Sequence, residues 1–168
     1  MPVPEAEDLV GTWRLQHDRA ARHGVPAHIT VLFPFRPAAT VDDTVADLAG
    51  AFAAVRRQPF RLTHVGVFPF VTWLAPDPPS LFRGLTFAAV ERFPDCLPYG
   101  GSFGTEPVPH LTVLDHTGDH RDAAAAHTAF LEVASPRLPI ECELREIRLL
   151  VEDEAGEWTT HTSFAVPQ

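Results

Sequence analysis

The stretch Ala27-His28-Ile29-Thr30-Val31-Leu32-Phe33-Pro34-Phe35 decides how the chain is read. Its β-branched and aromatic residues, with Pro26 before it and Pro34 closing it, predict a strand over 27–33. Side chains alternate along a strand, so Ile29, Val31 and Phe33 form one apolar face, expected in the core. His28, Thr30 and Leu32 form the other. A plain core strand has no use for an imidazole and a hydroxyl two residues apart. The stretch also has a near copy, Pro109-His110-Leu111-Thr112-Val113-Leu114.

The surroundings of the two copies correspond. After the first, a helix is expected from Thr40 as N-cap, with Asp42 and Asp43 in its first turn. Val41, Val45, Leu48, Phe52 and Val55 give it one buried stripe, and Arg56 and Arg57 stand at its C-terminal end. Two strands over 60–68 and 70–75 follow, turning near Pro69. After the second copy, an Ala-rich helix is expected over 119–133. A long strand region over 138–152 has a one-residue phase slip near Arg145, read as a β-bulge. A last strand runs over 158–166. The series strand, helix, strand, strand thus occurs twice, 82 residues apart from His28 to His110, which indicates a duplicated module. Between the copies, Asp77-Pro78-Pro79-Ser80 starts a helix with Leu81, Phe82, Leu85, Ala89 and Phe93 on its inner side. A Pro- and Gly-rich loop then covers 94–107. Before the first copy, residues 9–16 are read as a strand and 15–23 as a short helical or irregular turn ended by Gly24. Short turns between consecutive strands imply antiparallel pairing and an α+β class.

Composition narrows the function. The 168 residues carry a net charge of −9, which argues against a protein that coats long duplex nucleic acid but leaves room for a small phosphate ligand. All 13 basic residues are Arg, a bias attributed to genomic composition. Cys96 and Cys142 have no metal or redox spacing and are read as reduced and structural, in keeping with a cytoplasmic protein. The acidic N-terminal residues lack the apolar segment of a signal peptide, and no apolar run approaches membrane-spanning length. No membrane partner is expected, and the chain is expected to be a monomer.

With 9 His and 14 Thr in the chain, His-x-Thr arises by chance roughly once, so the motif alone says little. The weight lies in two matches in matched context. If a pseudo-twofold axis relates the halves, both motifs face one cleft. Imidazole titrates near pH 6.5, so one ring can be neutral while the other is protonated. That pair can take a proton from a nucleophile and give one to a leaving oxygen. Thr30 and Thr112 can donate hydrogen bonds to an oxyanion between the rings. A phosphodiester suits this arrangement, and no metal or other cofactor is needed. His110 is assigned as base and His28 as acid, with the reverse order equally open.

The segments His28-Ile29-Thr30-Val31 and His110-Leu111-Thr112-Val113 resemble the two signature motifs of the 2H phosphoesterase superfamily, most closely its 2′-5′ RNA ligase-like branch. The resemblance covers nearly the whole of residues 1–168, with the first lobe's motif in about 26–76 and the second's in about 108–166. It implies one bilobal α+β domain, with antiparallel sheets flanking a central groove and helices outside. It also implies metal-independent hydrolysis or transesterification of 2′,3′-cyclic phosphate or 2′-5′ linkages in nucleotides or RNA ends. Two alternatives remain open: a non-catalytic nucleotide or RNA-end binder on the same fold, and an interaction protein whose duplicated strands serve only packing.

Other residues fit weaker patterns. Tyr99 and Phe103 can stack on a base or anchor their loop. Arg36 can reach a phosphate but reads first as a solvated loop residue. His116 and His120 have the spacing of a metal pair without a third ligand and read first as exposed residues.

Overall fold

In the computed structural model, which describes residues 1–102, 104, 107–118 and 120–168, two antiparallel sheets face one another across a groove, with helices packed on them. The class is α+β. The helices are α1 (Glu7–His17), α2 (Arg19–Arg22), α3 (Val45–Phe52), α4 (Pro79–Arg92) and α5 (Ala123–Ala134). The strands are β1 (Gln58–Phe68), β2 (Val71–Asp77), β3 (Leu111–Asp115), β4 (Ile140–Leu144), β5 (Glu146–Glu152) and β6 (Trp158–Ala165). One sheet has the order β3-β2-β1-β4 and the other is the hairpin β5-β6.

This order interleaves the two halves of the chain. The hairpin β1–β2 follows the first motif in sequence, yet it is flanked by β3 on one side and β4 on the other. Strand β3 starts immediately after His110 and carries Thr112, so the second motif is built onto a hairpin from the first half. The first motif is secured by distant segments. Met1 exchanges hydrogen bonds with Ile29, the Val3 N–H donates to the Ala27 carbonyl, and Pro2 forms a bridge with His28. The start of β6 holds the turn that leads into it, since the Trp158 N–H donates to the His23 carbonyl. Gly24 makes that crossing possible. Its φ is +90°, and a Cβ there would lie 2.8 Å from the Trp158 carbonyl oxygen.

Several sequence expectations need correction. Residues 9–16 are not a strand but lie within α1, because Ala6, Leu9, Val10, Trp13 and Arg14 recur at helical spacing toward the core. Arg14 fills a core position, with 2% of its surface exposed. It is satisfied by Asp18, 2.8 Å away, and by the Val25 carbonyl, 3.1 Å away. The first motif is not a regular strand either: only His28 forms a β-bridge, and the chain bends at 31–34. Ile29 is fully buried as expected, but Phe33 is 48% exposed because the bend turns it outward. The helix expected from Thr40 begins at Val45, after two 3-10 turns, and the Thr40 hydroxyl donates backward to the Pro37 carbonyl. Its buried stripe stands: Val41, Leu48 and Phe52 are in the core, with Val45 and Val55 against it. Finally, 138–152 is not one bulged strand. At Arg145 the chain leaves one sheet for the other, β4 pairing with β1 and β5 with β6. The phase slip is that crossing: Cys142 and Leu144 face inward before it, Ile147 and Leu149 after it.

The hairpin β1–β2, α4 and the last hairpin appear where the sequence places them. Cys96 and Cys142 are free and buried. Among the described residues, no helix is long and apolar enough to cross a membrane.

Candidate active site

A cavity of about 980 Å³ opens between the sheets. His28, Thr30, Tyr99, His110 and Thr112 all line it, so the structure brings five sequence-predicted residues to one place. Phe103 lies outside the described residues. Arg36 reaches the cavity wall, but its guanidinium is held bidentate by Asp95, at 2.6 and 2.9 Å. His116 and His120 are elsewhere: His120 stacks on Phe70 and donates through Nδ1 to the His116 carbonyl. Among the described residues, no group of three or more His, Cys, Asp or Glu side chains is arranged to hold a metal ion.

The two histidines are fixed in the same way. His28 donates through Nδ1 to the Pro26 carbonyl at 2.9 Å, and His110 through Nδ1 to the Val108 carbonyl at 2.7 Å. In each motif the acceptor lies two residues before the ring. This bond selects the tautomer, so each neutral ring leaves Nε2 with its lone pair. At His28 that nitrogen lies 3.2 Å from the Thr30 hydroxyl, which donates to it.

Both rings resist protonation. Removal from water lowers His28 to about 3, helped by the positive charges that Met1, Arg14 and His110 can carry, while the Pro26 carbonyl opposes the shift. Burial also lowers His110, against the pull of the Val108 carbonyl. Both rings line the same cavity.

The surroundings of His110 are aromatic. Phe68 meets it edge-on at 5.1 Å between ring centres, Trp73 lies at 6.0 Å and Tyr99 stacks at 6.4 Å. Phe68 and Trp73 come from the first-half hairpin and stack on each other at 4.8 Å. Trp73 can lie flat there because Gly66 has no side chain: a Cβ would fall 2.4 Å from the indole.

Sequence reasoning missed four contributors. Arg148 lines the cavity and is ion-paired to Glu146 at 2.6 Å. Its sequence signal is the alternation on β5, where Ile147 and Leu149 point inward and Arg148 therefore faces the other way. Phe33 and Trp158 meet edge-on at 6.2 Å along the cavity. Phe33 was visible only as an apolar residue, and its outward turn depends on the bend. Arg14 carried no signal as a core residue.

A groove between two antiparallel sheets, with one His-x-Thr segment from each half of the chain, defines a two-histidine phosphoester fold. The sequence matches the 2′-5′ RNA ligase superfamily over residues 2–156, and the chain belongs to that family, whose chemistry is enzymatic. Two solved structures of E. coli LigT are similar to it, one complexed with NADP+ and one with ATP, each with 20% sequence identity and a TM-score of 0.60. The first match covers 100% of this chain and 94% of the LigT chain, the second 98% and 92%. No curated protein sequence matches the chain. The LigT likeness shows the fold, and with the family it bears out the 2H phosphoesterase resemblance.

Proposed function

We propose that the protein is a phosphodiesterase that opens 2′,3′-cyclic phosphates, or cleaves 2′-5′ linkages, of nucleotides or RNA ends. The observation that carries this reading is the matched pair of histidines on one cavity, each locked through Nδ1 so that Nε2 is the working atom. Family membership supports phosphoester chemistry, and the nucleotides bound by the LigT structures support a nucleotide as ligand. The two free cysteines suit the cytoplasm.

On this reading one Nε2 removes a proton from water as its oxygen bonds to phosphorus. The other, protonated, Nε2 gives its proton to the ribose oxygen as the P–O bond breaks. The product is a phosphomonoester beside a free hydroxyl, and the two histidines have exchanged roles. Thr112 supplies a hydroxyl donor to a phosphoryl oxygen, and Thr30 does the same when its O–H turns from His28 Nε2 to the bound substrate. His28 suits the base, the reverse of the sequence-based order, because it is the ring more strongly held neutral. A bound phosphodiester brings negative charge against both rings and raises both, and His110 then carries the proton.

The test is turnover by purified protein of a panel of 2′,3′-cyclic nucleotides and 2′-5′ dinucleotides. His28→Ala and His110→Ala should each lower kcat at least about a hundredfold. Full activity in either variant sinks the two-histidine mechanism, and binding without turnover in the parent favours a nucleotide-binding role instead.

A further inference from the structure

Tyr99 touches both motifs at once. Its ring centre lies 6.4 Å from that of His110, 20° from parallel, and its phenol shares a hydrogen bond with the Thr30 hydroxyl. Thr30 in turn donates to His28 Nε2. The Tyr99 backbone N–H donates to the Phe33 carbonyl, which ties its loop to the end of the first motif. The residue holds a left-handed backbone, φ +50° and ψ 34°, an uncommon conformation for a residue other than glycine. Thr30, Tyr99 and His110 also meet at a second, small pocket beside the main cavity. A tyrosine whose only task was to stack on an incoming base would present a free face. Here the ring stands beside His110 in near-parallel orientation and the hydroxyl is engaged with another motif residue.

We propose that Tyr99 is a positioning residue that yokes the two motifs, its ring setting His110 and its hydroxyl setting Thr30 toward His28. Hydrogen bonding links the Tyr99 phenol to the Thr30 hydroxyl and the Thr30 hydroxyl to His28 Nε2. The two rings and the hydroxyl thereby keep their relative placement although the motifs come from opposite halves of the chain. The proposal rests on the phosphodiesterase reading for its kinetic consequence, but its physical content is present in the free protein.

A double-mutant cycle on Tyr99→Phe and Thr30→Ala tests it in two ways. In turnover of a 2′,3′-cyclic nucleotide, Tyr99→Phe should lower kcat about tenfold, the effect of losing one hydrogen bond, with KM changed less than about twofold. In the Thr30→Ala background it should lower kcat no further. Tyr99→Ala, which also removes the ring from His110, should cost more than Tyr99→Phe in kcat. In the free protein, proton NMR should show the His28 ring signals moved by Tyr99→Phe in the parent and unmoved by it in the Thr30→Ala background. Additive effects, an unchanged kcat in Tyr99→Phe, or a raised KM with unchanged kcat in Tyr99→Ala overturn the proposal, the last by assigning Tyr99 to base stacking. If the parent turns over none of the substrates, the phosphodiesterase reading fails, and the NMR cycle alone decides whether Tyr99 acts on His28 through Thr30.

Discussion

Neutral His28 should make the fold acid-sensitive in a way that one substitution removes. The folded protein holds this ring at a pKa of about 3, against 6.5 for a free imidazole. The unfolded chain therefore takes up a proton that the native state refuses. The contribution to stability is complete above 6.5 and is lost as the pH falls from there toward 3. Between about pH 7.5 and about pH 5, linkage gives a loss of about 2 kcal/mol at most, since part of the ring reaches solvent. The Met1 amine, His17 and His110 are also lowered, so the parent's own curve is steeper than this one residue accounts for. Replacing His28 by Gln keeps hydrogen-bonding capacity and removes the titration. Urea unfolding of parent and His28→Gln across this range, followed by circular dichroism, isolates the term by difference. The parent should be favoured near neutrality and lose its margin over the variant by up to about 2 kcal/mol toward pH 5. Curves that stay parallel to within about 0.5 kcal/mol would refute a buried neutral His28 and the electrostatic account of the site.

Other perturbations have defined outcomes. Gly66→Ala forces the Trp73 indole off the hairpin and disturbs the packing on His110. It should cost about 1–3 kcal/mol, read by thermal unfolding, and lower kcat/KM. Arg14→Met leaves the Asp18 carboxylate buried without its partner and should cost about 3–5 kcal/mol in chemical denaturation, with much of the loss recovered when Asp18→Asn is added. Gly24→Ala drives a Cβ into the Trp158 carbonyl at a left-handed backbone position. Faster hydrogen exchange of the Trp158 amide should report the loosened crossing, and unchanged exchange would show that the contact is dispensable.

The sequence disclosed what repeats and what alternates. Two His-Thr segments in matched surroundings were visible, and so were the stripe of Val41, Leu48 and Phe52 and the hairpin around Pro69. Helix α1 was hidden because one position of its inner stripe is Arg14, an arginine that is apolar neither in type nor in pattern and is buried only because Asp18 and a carbonyl satisfy it. The crossing at Arg145 was legible as a phase slip but not as a change of sheet, since a bulge and a crossing leave the same one-residue mark. The first motif looked like a strand by composition. Its backbone partners, Met1 to Val3, lie far away in sequence and carry no pattern that announces pairing. The groups around His110 were beyond reach for the same reason: Phe68 and Trp73 belong to a hairpin whose neighbours in space are strands from the other half.

That interleaving bears on what happens if the backbone is cut in the loop between α4 and β3. The N-terminal piece would keep His28 and a two-stranded hairpin with both edges bare, because β3 and β4 lie on the other piece. The C-terminal piece would keep His110 together with the β5–β6 ribbon, whose second strand opens on Trp158, the residue that fastens the approach to His28. Each fragment holds the scaffold for the other's histidine. Mixed together, they have reason to complement one another through open strand edges, and recovery of the proposed phosphodiesterase turnover would report their reunion.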